Sequence, residues 1–141
     1  MKADRPMEMI VQAVALALKD VYPGIKVYSE SVKQGLPSEC FVVFCIPGLN
    51  RKVSRNRYTM QGNTDISYIV RDDSDEAKLK ELFAEKFQTV STSLGTVEYN
   101  GSKVRFTDFN YQEADNVLHI LASFNIQYFV TEDDTSEDVQ D

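Results

Sequence analysis

The residues best suited to chemistry are few in this chain. It has one histidine, His119, and two cysteines, Cys40 and Cys45. A metal site built on several histidines is therefore excluded, and a cysteine nucleophile would need an exposed thiol beside a base. Both cysteines lie in the most apolar run of the chain and are not spaced as CxxC. We interpret them as small buried hydrophobes in a reducing compartment.

Four acidic residues form a second candidate site. Asp72, Asp73, Asp75 and Glu76 could attract a divalent cation, but they lack the glycine and the bidentate glutamate of a calcium loop. Helix capping explains them, with Ser74 as the predicted N-cap. The chain also has no GxGxxG and no GxxxxGK[ST] motif. We therefore expect no enzyme activity, no metal and no cofactor.

A basic segment, NRKVSRNRY at residues 50–58, is the clearest candidate for an interaction surface. It contains Arg51, Lys52, Arg55 and Arg57 and no acidic residue. These cations would attract an anionic surface, either phosphate or a neighbouring subunit. A solvated loop or hairpin edge is the simpler alternative. A DNA-binding protein would usually show a broader basic surface.

Charge is unevenly distributed along the chain, whose formal net charge is −7. Residues 1–60 carry 9 basic and 5 acidic side chains, whereas residues 61–130 carry 6 basic and 11 acidic ones. Residues 131–141 carry 6 acidic and no basic side chains, with Val139 as their one aliphatic residue. This composition predicts a disordered acidic tail after a single domain at 1–130. The tail either only solubilises the protein, or contacts a basic partner or keeps subunits apart before assembly.

The overall composition is that of a soluble globular domain. The chain has 141 residues, of which 43% are hydrophobic and 26% charged. No apolar run approaches the roughly 20 residues of a membrane helix. The N-terminal sequence has no apolar signal segment, which predicts a cytoplasmic protein.

Two helices are predicted from apolar residues at helical spacing. The first has Asp4 as a possible cap and Pro6 in its first turn, and it ends at Tyr22-Pro23-Gly24. The second begins at Ser74 and ends at Gly95. The two apolar stripes consist of Met7, Ile10, Val11, Val14, Leu18 and Val21, and of Leu79, Leu82, Phe83, Phe87, Val90 and Leu94.

Four strands are predicted between the helices. Residues 25–29 form a short one, and the apolar run 40–46 predicts a central strand buried on both faces. Residues 52–61 predict an exposed edge strand or hairpin arm, and residues 64–70 a further strand. Gln61-Gly62-Asn63 between them is a turn or bulge signal.

Four more strands are predicted after the second helix. Asn100-Gly101 is a strong hairpin signal, and Asp115-Asn116 predicts another turn. In residues 117–130 the apolar side chains fall on one parity, whereas His119 lies on the polar one. The predicted strands are residues 96–99, 103–107, 109–113 and 117–130.

The predicted fold is α+β, with a mainly antiparallel sheet and two helices packed on one face. The predicted order is α-β-β-β-β-α-β-β-β-β. Apart from the connection through the second helix, the connections look too short for parallel crossovers.

Three segments of the chain resemble the tail terminator proteins of long-tailed bacteriophages and of prophages in Gram-positive bacteria. The first joins the initial helix to the pattern VKQGLPSECF, at residues 32–41. The second is NRKVSRNRYTMQGNTDISYI, in which a basic segment leads into a strand. The third is ADNVLHILASFNIQYFV, which is similar to the family's terminal hairpin. Asn116 stands where glycine is more usual, but asparagine also tolerates positive φ.

The resemblance implies a structural role without a cofactor or a reaction. Tail terminators form a ring, expected here to be a hexamer, that caps the growing tail tube, stops its polymerisation and offers a surface for head joining. The implied partners are other copies of the chain, the tail tube protein and a head completion or connector protein. The only nucleic-acid contact that this role leaves open is with DNA passing through the ring. The role implies no contact with a membrane. The implied location is the host cytoplasm during assembly and then the virion tail.

A head-to-tail ring needs two different complementary patches on each subunit. From charge alone we expect Arg51, Lys52, Arg55, Arg57 and Tyr58 to form one patch, against the tube or a neighbouring subunit. Asp72 and Asp73 belong to the acidic stretch that could form the other. Two other classes of function remain open. They are another tail or head–tail connector subunit, and a small enzymatic or ligand-binding α+β domain.

Overall fold

The computed structural model describes residues 5–29, 37–71 and 75–130. The predicted disordered tail, residues 131–141, lies outside this described part. The strands form a six-stranded sheet in the order β1-β2-β3-β6-β5-β4, and the fold is α+β as predicted. In chain order the elements are α1 (Pro6–Val21), β1 (Lys26–Tyr28), β2 (Glu39–Lys52), β3 (Arg57–Val70), α2 (Glu76–Ser93), β4 (Thr96–Tyr99), β5 (Ser102–Ala114) and β6 (Val117–Phe129).

The sheet is mixed rather than wholly antiparallel. β1 pairs in parallel with β2, Lys26–Tyr28 lying beside Cys40–Val42. The prediction that the connections are too short for a parallel pair is therefore wrong here. Only three residues pair, so the ten residues between Tyr28 and Glu39 have only a short distance to span. The other neighbouring strands are antiparallel.

The order of elements differs from the predicted one because two pairs of predicted strands are continuous. β3 is one strand from Arg57 to Val70, so Gln61-Gly62-Asn63 is not a turn. Residues 57–61 form an arm of the β2–β3 hairpin, which confirms the second predicted alternative for 52–61 and not the exposed edge strand. β3 pairs with β2 on one side and with β6 on the other, which satisfies its backbone although many side chains are polar. β5 likewise continues through a register shift between Phe106 and Asp108.

Close packing of β2 and β3, rather than a turn, explains the glycine at position 62. β2 has a register irregularity between Pro47 and Leu49, directly beside Gly62. A Cβ atom at Gly62 would lie 2.5 Å from the Ile46 carbonyl oxygen. The sequence signal therefore marks the close approach of two strands at a bulge rather than a change of direction.

The hydrophobic core lies on the face of the sheet that both helices contact. Cross-strand pairing aligns Phe41 with Tyr68 and Tyr68 with Leu118. The ring centroids of Tyr22, at the end of α1, and Phe41 lie 5.5 Å apart. Those of Phe83 in α2 and Tyr68 lie 6.0 Å apart. Each helix also buries aliphatic side chains here, namely Ile10, Val14 and Leu18 from α1 and Val90 from α2.

The opposite face of β2 is only partly buried. Val42 is buried, but Phe44 is 37% and Ile46 is 45% exposed. The prediction that the whole run 40–46 is covered on both faces is therefore wrong after residue 43. Side chains alternate along a strand, so Phe44 and Ile46 point away from the face that the helices cover.

The predicted hairpin turns are confirmed by the backbone. Asn100 and Gly101 have φ of 53° and 81°, and Asp115 and Asn116 have φ of 54° and 60°. Successive positive φ values match the two-residue turns that the twist of a hairpin favours. The parity predicted for the last strand is also confirmed, since its even-numbered residues from 118 to 128 are buried.

The helix ends differ in detail from the predictions. The N-cap of α2 is Asp75, whose carboxylate accepts a hydrogen bond of 3.0 Å from the Ala77 N–H. The predicted caps Ser74 and Asp4 lie outside the described residues. α1 begins at Pro6 after Arg5 in the cap position. Neither of the helices within the described ranges has the length and apolarity needed to cross a membrane.

Candidate functional site

Residues 50–58 form the tip of the long β2–β3 hairpin, and we call them the basic hairpin. The turn is closed by the Arg57 carbonyl oxygen, which accepts hydrogen bonds from the N–H groups of Val53 and Ser54, 2.8 and 3.3 Å long. Its four cationic residues are exposed, whereas Tyr58 is partly buried. The structure thus brings five of the predicted site residues together at one end of the sheet, namely Arg51, Lys52, Arg55, Arg57 and Tyr58.

The end of β6 holds the basic hairpin in place. The rings of Tyr58 and Tyr128 stack with centroids 5.5 Å apart and an interplanar angle of 19°. The Tyr128 hydroxyl donates a 2.9 Å hydrogen bond to the Asn50 side-chain oxygen. The Arg57 guanidinium lies 5.1 Å from the centre of the Phe129 ring. These contacts hold the hairpin against the sheet, so its cations are presented on a supported surface.

Exposed apolar side chains accompany the cations. Leu49 is 40% and Val53 is 52% exposed. Phe44 and Ile46 continue this apolar surface along β2. A surface that combines cations with exposed aliphatic and aromatic side chains is typical of protein interfaces.

The acidic part of the predicted site is less completely described. Asp72 and Asp73 lie outside the described residues. Their neighbours Asp75 and Glu76 line an open cleft of about 510 Å³ together with Asp115 of the β5–β6 turn and one cation, Arg71. We call it the acidic cleft. Sequence analysis did not place Asp115 in the site, because only the fold brings this turn beside the start of α2.

The basic hairpin and the acidic cleft lie at opposite ends of the sheet. Arg57 pairs with Phe129 at one end of β3, and Ile69 pairs with Val117 at the other. At about 3.4 Å per residue these two ends are about 40 Å apart. The charges at the two ends therefore cannot neutralise each other within one subunit, since charges interact only over about 8–10 Å at physiological salt.

His119 forms a polar cluster that the sequence did not predict. Its Nδ1 atom lies 3.1 and 3.2 Å from the two carboxylate oxygens of Asp65 and 3.0 Å from the Ser67 hydroxyl. In a serine–histidine–aspartate triad, the serine and the aspartate contact different ring nitrogens. Here both contact the same nitrogen, so this arrangement is not that of a triad. Ser67 lies directly opposite His119 in the β3–β6 register, which depends on long-range pairing.

The cysteines have the properties of packed side chains. Cys40 is fully buried and Cys45 is partly buried. Burial raises the pKa of both thiols, and that of Cys45 rises to about 11. The thiols are therefore protonated at neutral pH, which is the opposite of what a cysteine nucleophile requires.

Lys86 is a buried cation on the apolar face of α2, where sequence analysis expected only apolar residues. Its ammonium group lies 5.0 Å from the ring centres of both Tyr22 and Tyr68 and 3.1 Å from a carboxylate oxygen of Glu85. Burial raises the pKa of Tyr68, and so does the hydrogen bond that its hydroxyl donates to Glu39. These contacts join α2 to the sheet and the end of α1, which indicates a role in packing.

Within the described ranges, no group of three or more histidine, cysteine, aspartate and glutamate side chains is placed to hold a metal ion. The feature with the clearest functional character is therefore a surface, the basic hairpin.

Comparison with known proteins identifies the family. No curated protein matches the sequence. One solved structure, labelled only by a sequence identifier, has 15% identity and a TM-score of 0.45, and the match covers 89% of this chain and 94% of that chain. The model of a family described as "Phage tail terminator protein" matches residues 9–140. This match spans nearly the whole sequence and confirms the resemblance drawn from its motifs: the chain belongs to the phage tail terminator protein family.

Proposed function

We propose that the protein caps the phage tail tube, terminates its polymerisation and offers the surface to which the head is joined. Membership of a family of structural tail proteins supports this proposal. In it, copies of the chain form a closed ring, expected to be a hexamer, whose partners are the tail tube protein and a head completion protein. Assembly takes place in the host cytoplasm, and the protein remains in the virion tail.

The observation that carries the proposal is the basic hairpin. Its four cations are exposed at a tip that the end of β6 supports through ring stacking and a hydrogen bond. Clustered charge steers association and disfavours wrong partners. We assign the basic hairpin to the contact with the tube or with a neighbouring subunit. The acidic stretch that includes Asp72 and Asp73 is the proposed complement on the adjacent copy.

Charge reversal of the basic hairpin tests this assignment. In Arg51→Glu/Lys52→Glu, both changed side chains are exposed, so stability should change by less than about 1 kcal/mol. The concentration of protein that stops tube growth in vitro should rise by about tenfold or more, because like charge at an interface is costly.

A matched single change provides the control. Lys19 is an exposed residue of α1, and Lys19→Glu makes the same chemical change as Lys52→Glu outside both the basic hairpin and the acidic stretch. Lys19→Glu should cap tubes at wild-type concentrations. If Lys52→Glu and the double variant fold and also cap at wild-type concentrations, the basic hairpin is not an interface.

A further inference from the structure

The outermost strands of the sheet, β1 and β4, are short, so each leaves part of the strand beside it without a described partner on its outer side. β1 pairs with β2 only along Cys40–Val42, and β4 pairs with β5 only along Ser102–Arg105. No described residue extends β1 along the rest of β2, or β4 along the rest of β5. The outer edge of β2 is therefore open from Val43 to Lys52, and that of β5 from Thr107 to Ala114, across the parts of the chain that the structure describes.

Among the residues that the structure describes, nothing covers either open edge. In β5 every residue of 107–114 is exposed except Phe109, which is partly buried. In β2 the open stretch carries the exposed side chains of Phe44, Ile46 and Leu49. An exposed apolar edge strand is a template for pairing with another chain, which proteins normally block by charge, bulges or cover. The irregularity between Pro47 and Leu49 interrupts β2, so the regular part of its open edge is Val43–Ile46.

A groove adjoins this regular part of β2. It has a volume of about 440 Å³ and lies between α1, at Met7 and Val11, and the segment Val43–Cys45. A strand laid along β2 would place side chains beside this groove. The groove is also lined by the polar residues Glu8, Gln12 and Ser29. The β2 edge therefore offers backbone hydrogen-bonding groups beside a recess of mixed polarity.

The strand directions allow a second copy to fit there. β2 is antiparallel to β3, β3 to β6, and β6 to β5, so β5 runs antiparallel to β2. A copy placed beside the first in the same orientation would thus bring its β5 antiparallel to the β2 of its neighbour. Antiparallel strands can pair directly without a crossover.

The charges of the two edges favour this pairing over self-pairing. Residues 40–64 contain no aspartate or glutamate and include the cations of the basic hairpin. Residues 106–130 contain no lysine or arginine and include Asp108 and Glu113 on β5. A β2–β2 contact would bring together only cationic edges and a β5–β5 contact only acidic ones, whereas a β2–β5 contact brings together opposite charges.

We infer that β5 of one copy adds to the open edge of β2 of the next, so that one sheet continues through neighbouring subunits. The contact uses two different surfaces of each chain and is therefore head-to-tail, which is the kind that closes into a ring. This inference rests on the proposed assembly of the chain with itself. It goes beyond that assembly by naming the strands that meet. It also makes Asp108 and Glu113 of β5, rather than the acidic stretch with Asp72 and Asp73, the complement of the cationic β2 edge.

Hydrogen–deuterium exchange of the full chain tests the inference. Exchange is compared between dilute protein and protein assembled at high concentration or on tail tubes. Only the amides of 43–46 and 107–114 that point away from β3 and β6 report on the open edges, because the others already bond within the sheet. These outward-pointing amides should exchange about tenfold more slowly, or slower still, in the assembled state. Amides of β6 at 119–123 lie inside the sheet, so they provide the internal control and should be protected in both states.

A charge swap gives a second, independent readout. Asp108→Lys should weaken assembly, because it places a cation against the cationic β2 edge, and combining it with Arg51→Glu should restore much of the loss. Glu81→Lys makes a matched change at an exposed position of α2 and should have no effect.

The outcomes separate this inference from the proposed function. Assemblies that cap tubes while both edges exchange at monomer rates would overturn the edge pairing and leave the capping function intact. Protection of the outward-pointing amides of 43–46 already in the dilute monomer would also overturn it, since another part of the same chain would then cover the edge. A protein that neither assembles nor caps tubes would overturn both.

Discussion

Phe44 and Phe83 have the same side chain in opposite environments. Phe83 is fully buried, whereas Phe44 is 37% exposed. Phe83→Ala should cost about 3–5 kcal/mol, because it leaves a cavity in the core. Phe44→Ala should cost less, about 1–2 kcal/mol, because more than a third of this residue already faces water. Denaturant titration of the two variants measures both values, and a loss above about 3 kcal/mol for Phe44→Ala would show that its face of β2 is covered.

Cys45 gives the protein a predictable dependence on alkaline pH. Burial raises the pKa of its thiol from 9.0 to about 11. Between these values the unfolded chain has lost the proton and the folded chain keeps it, so stability falls as the pH rises from about 9 to about 11. Over that range the wild type should lose about 1–2 kcal/mol more than Cys45→Ala. Urea titrations of both proteins at the two pH values measure the difference, and equal losses would contradict the assigned burial.

At the residue scale, the sequence predicts those side-chain environments that depend only on neighbouring residues in the chain. The burial of Cys40 and the polar side of His119 follow from apolar runs and strand parity. The contact of His119 with Asp65 does not, because 54 residues separate the two in the chain. The burial of Lys86 cannot be predicted from sequence either, since it depends on Tyr22 at the end of α1 and on Tyr68 of β3.

At the element scale, Gly62 controls how β2 and β3 approach each other. A methyl group there would meet the Ile46 carbonyl oxygen at 2.5 Å and a ring carbon of Phe124 at 3.1 Å. Gly62→Ala should therefore cost about 2 kcal/mol or more, because a backbone atom must move. Gly24→Ala is the control, since nothing lies within 4 Å of a Cβ there, and it should change stability by less than about 0.5 kcal/mol. Equal effects in thermal or urea unfolding would show that the bulge is not tightly packed.

Local signals explain why some elements were predictable and others were not. The turns at Asn100-Gly101 and Asp115-Asn116 depend on residues that adopt positive φ, and the sequence shows these directly. The continuity of β3 depends on two partner strands, β2 and β6, and excludes a turn at Gly62, where the glycine marks a bulge instead. The parallel pairing of β1 with β2 also depends on tertiary contacts rather than on either segment alone.

At the scale of the whole molecule, we expect charge separation to make the proposed assembly sensitive to salt. The basic hairpin and the acidic cleft are too far apart to interact within one subunit. Contacts between copies that rely on these exposed charges should weaken as salt screens them. We expect a monomer or weak oligomer in dilute solution that forms rings at high concentration, with a smaller ring fraction at 1 M than at 0.1 M salt. Light scattering across concentration and salt measures this, and a tight dimer unaffected by salt would contradict it.

The family could be recognised from the sequence because its motifs extend along nearly the whole chain, and the family match covers the same region. The open edges of β2 and β5 could not be recognised in this way. They depend on how short β1 and β4 are relative to the strands beside them. An interaction surface of this kind becomes visible only when the register of the complete sheet is known.

The central claim, that this tail terminator protein ends tube growth, is tested most directly by tube polymerisation in vitro. Purified protein is added to growing tail tubes, and tube lengths and ends are examined by negative-stain electron microscopy. The claim predicts that tubes stop lengthening once the protein is in molar excess over tube ends and that one end carries an additional ring. Tubes that continue to lengthen with unmodified ends under that excess would contradict it.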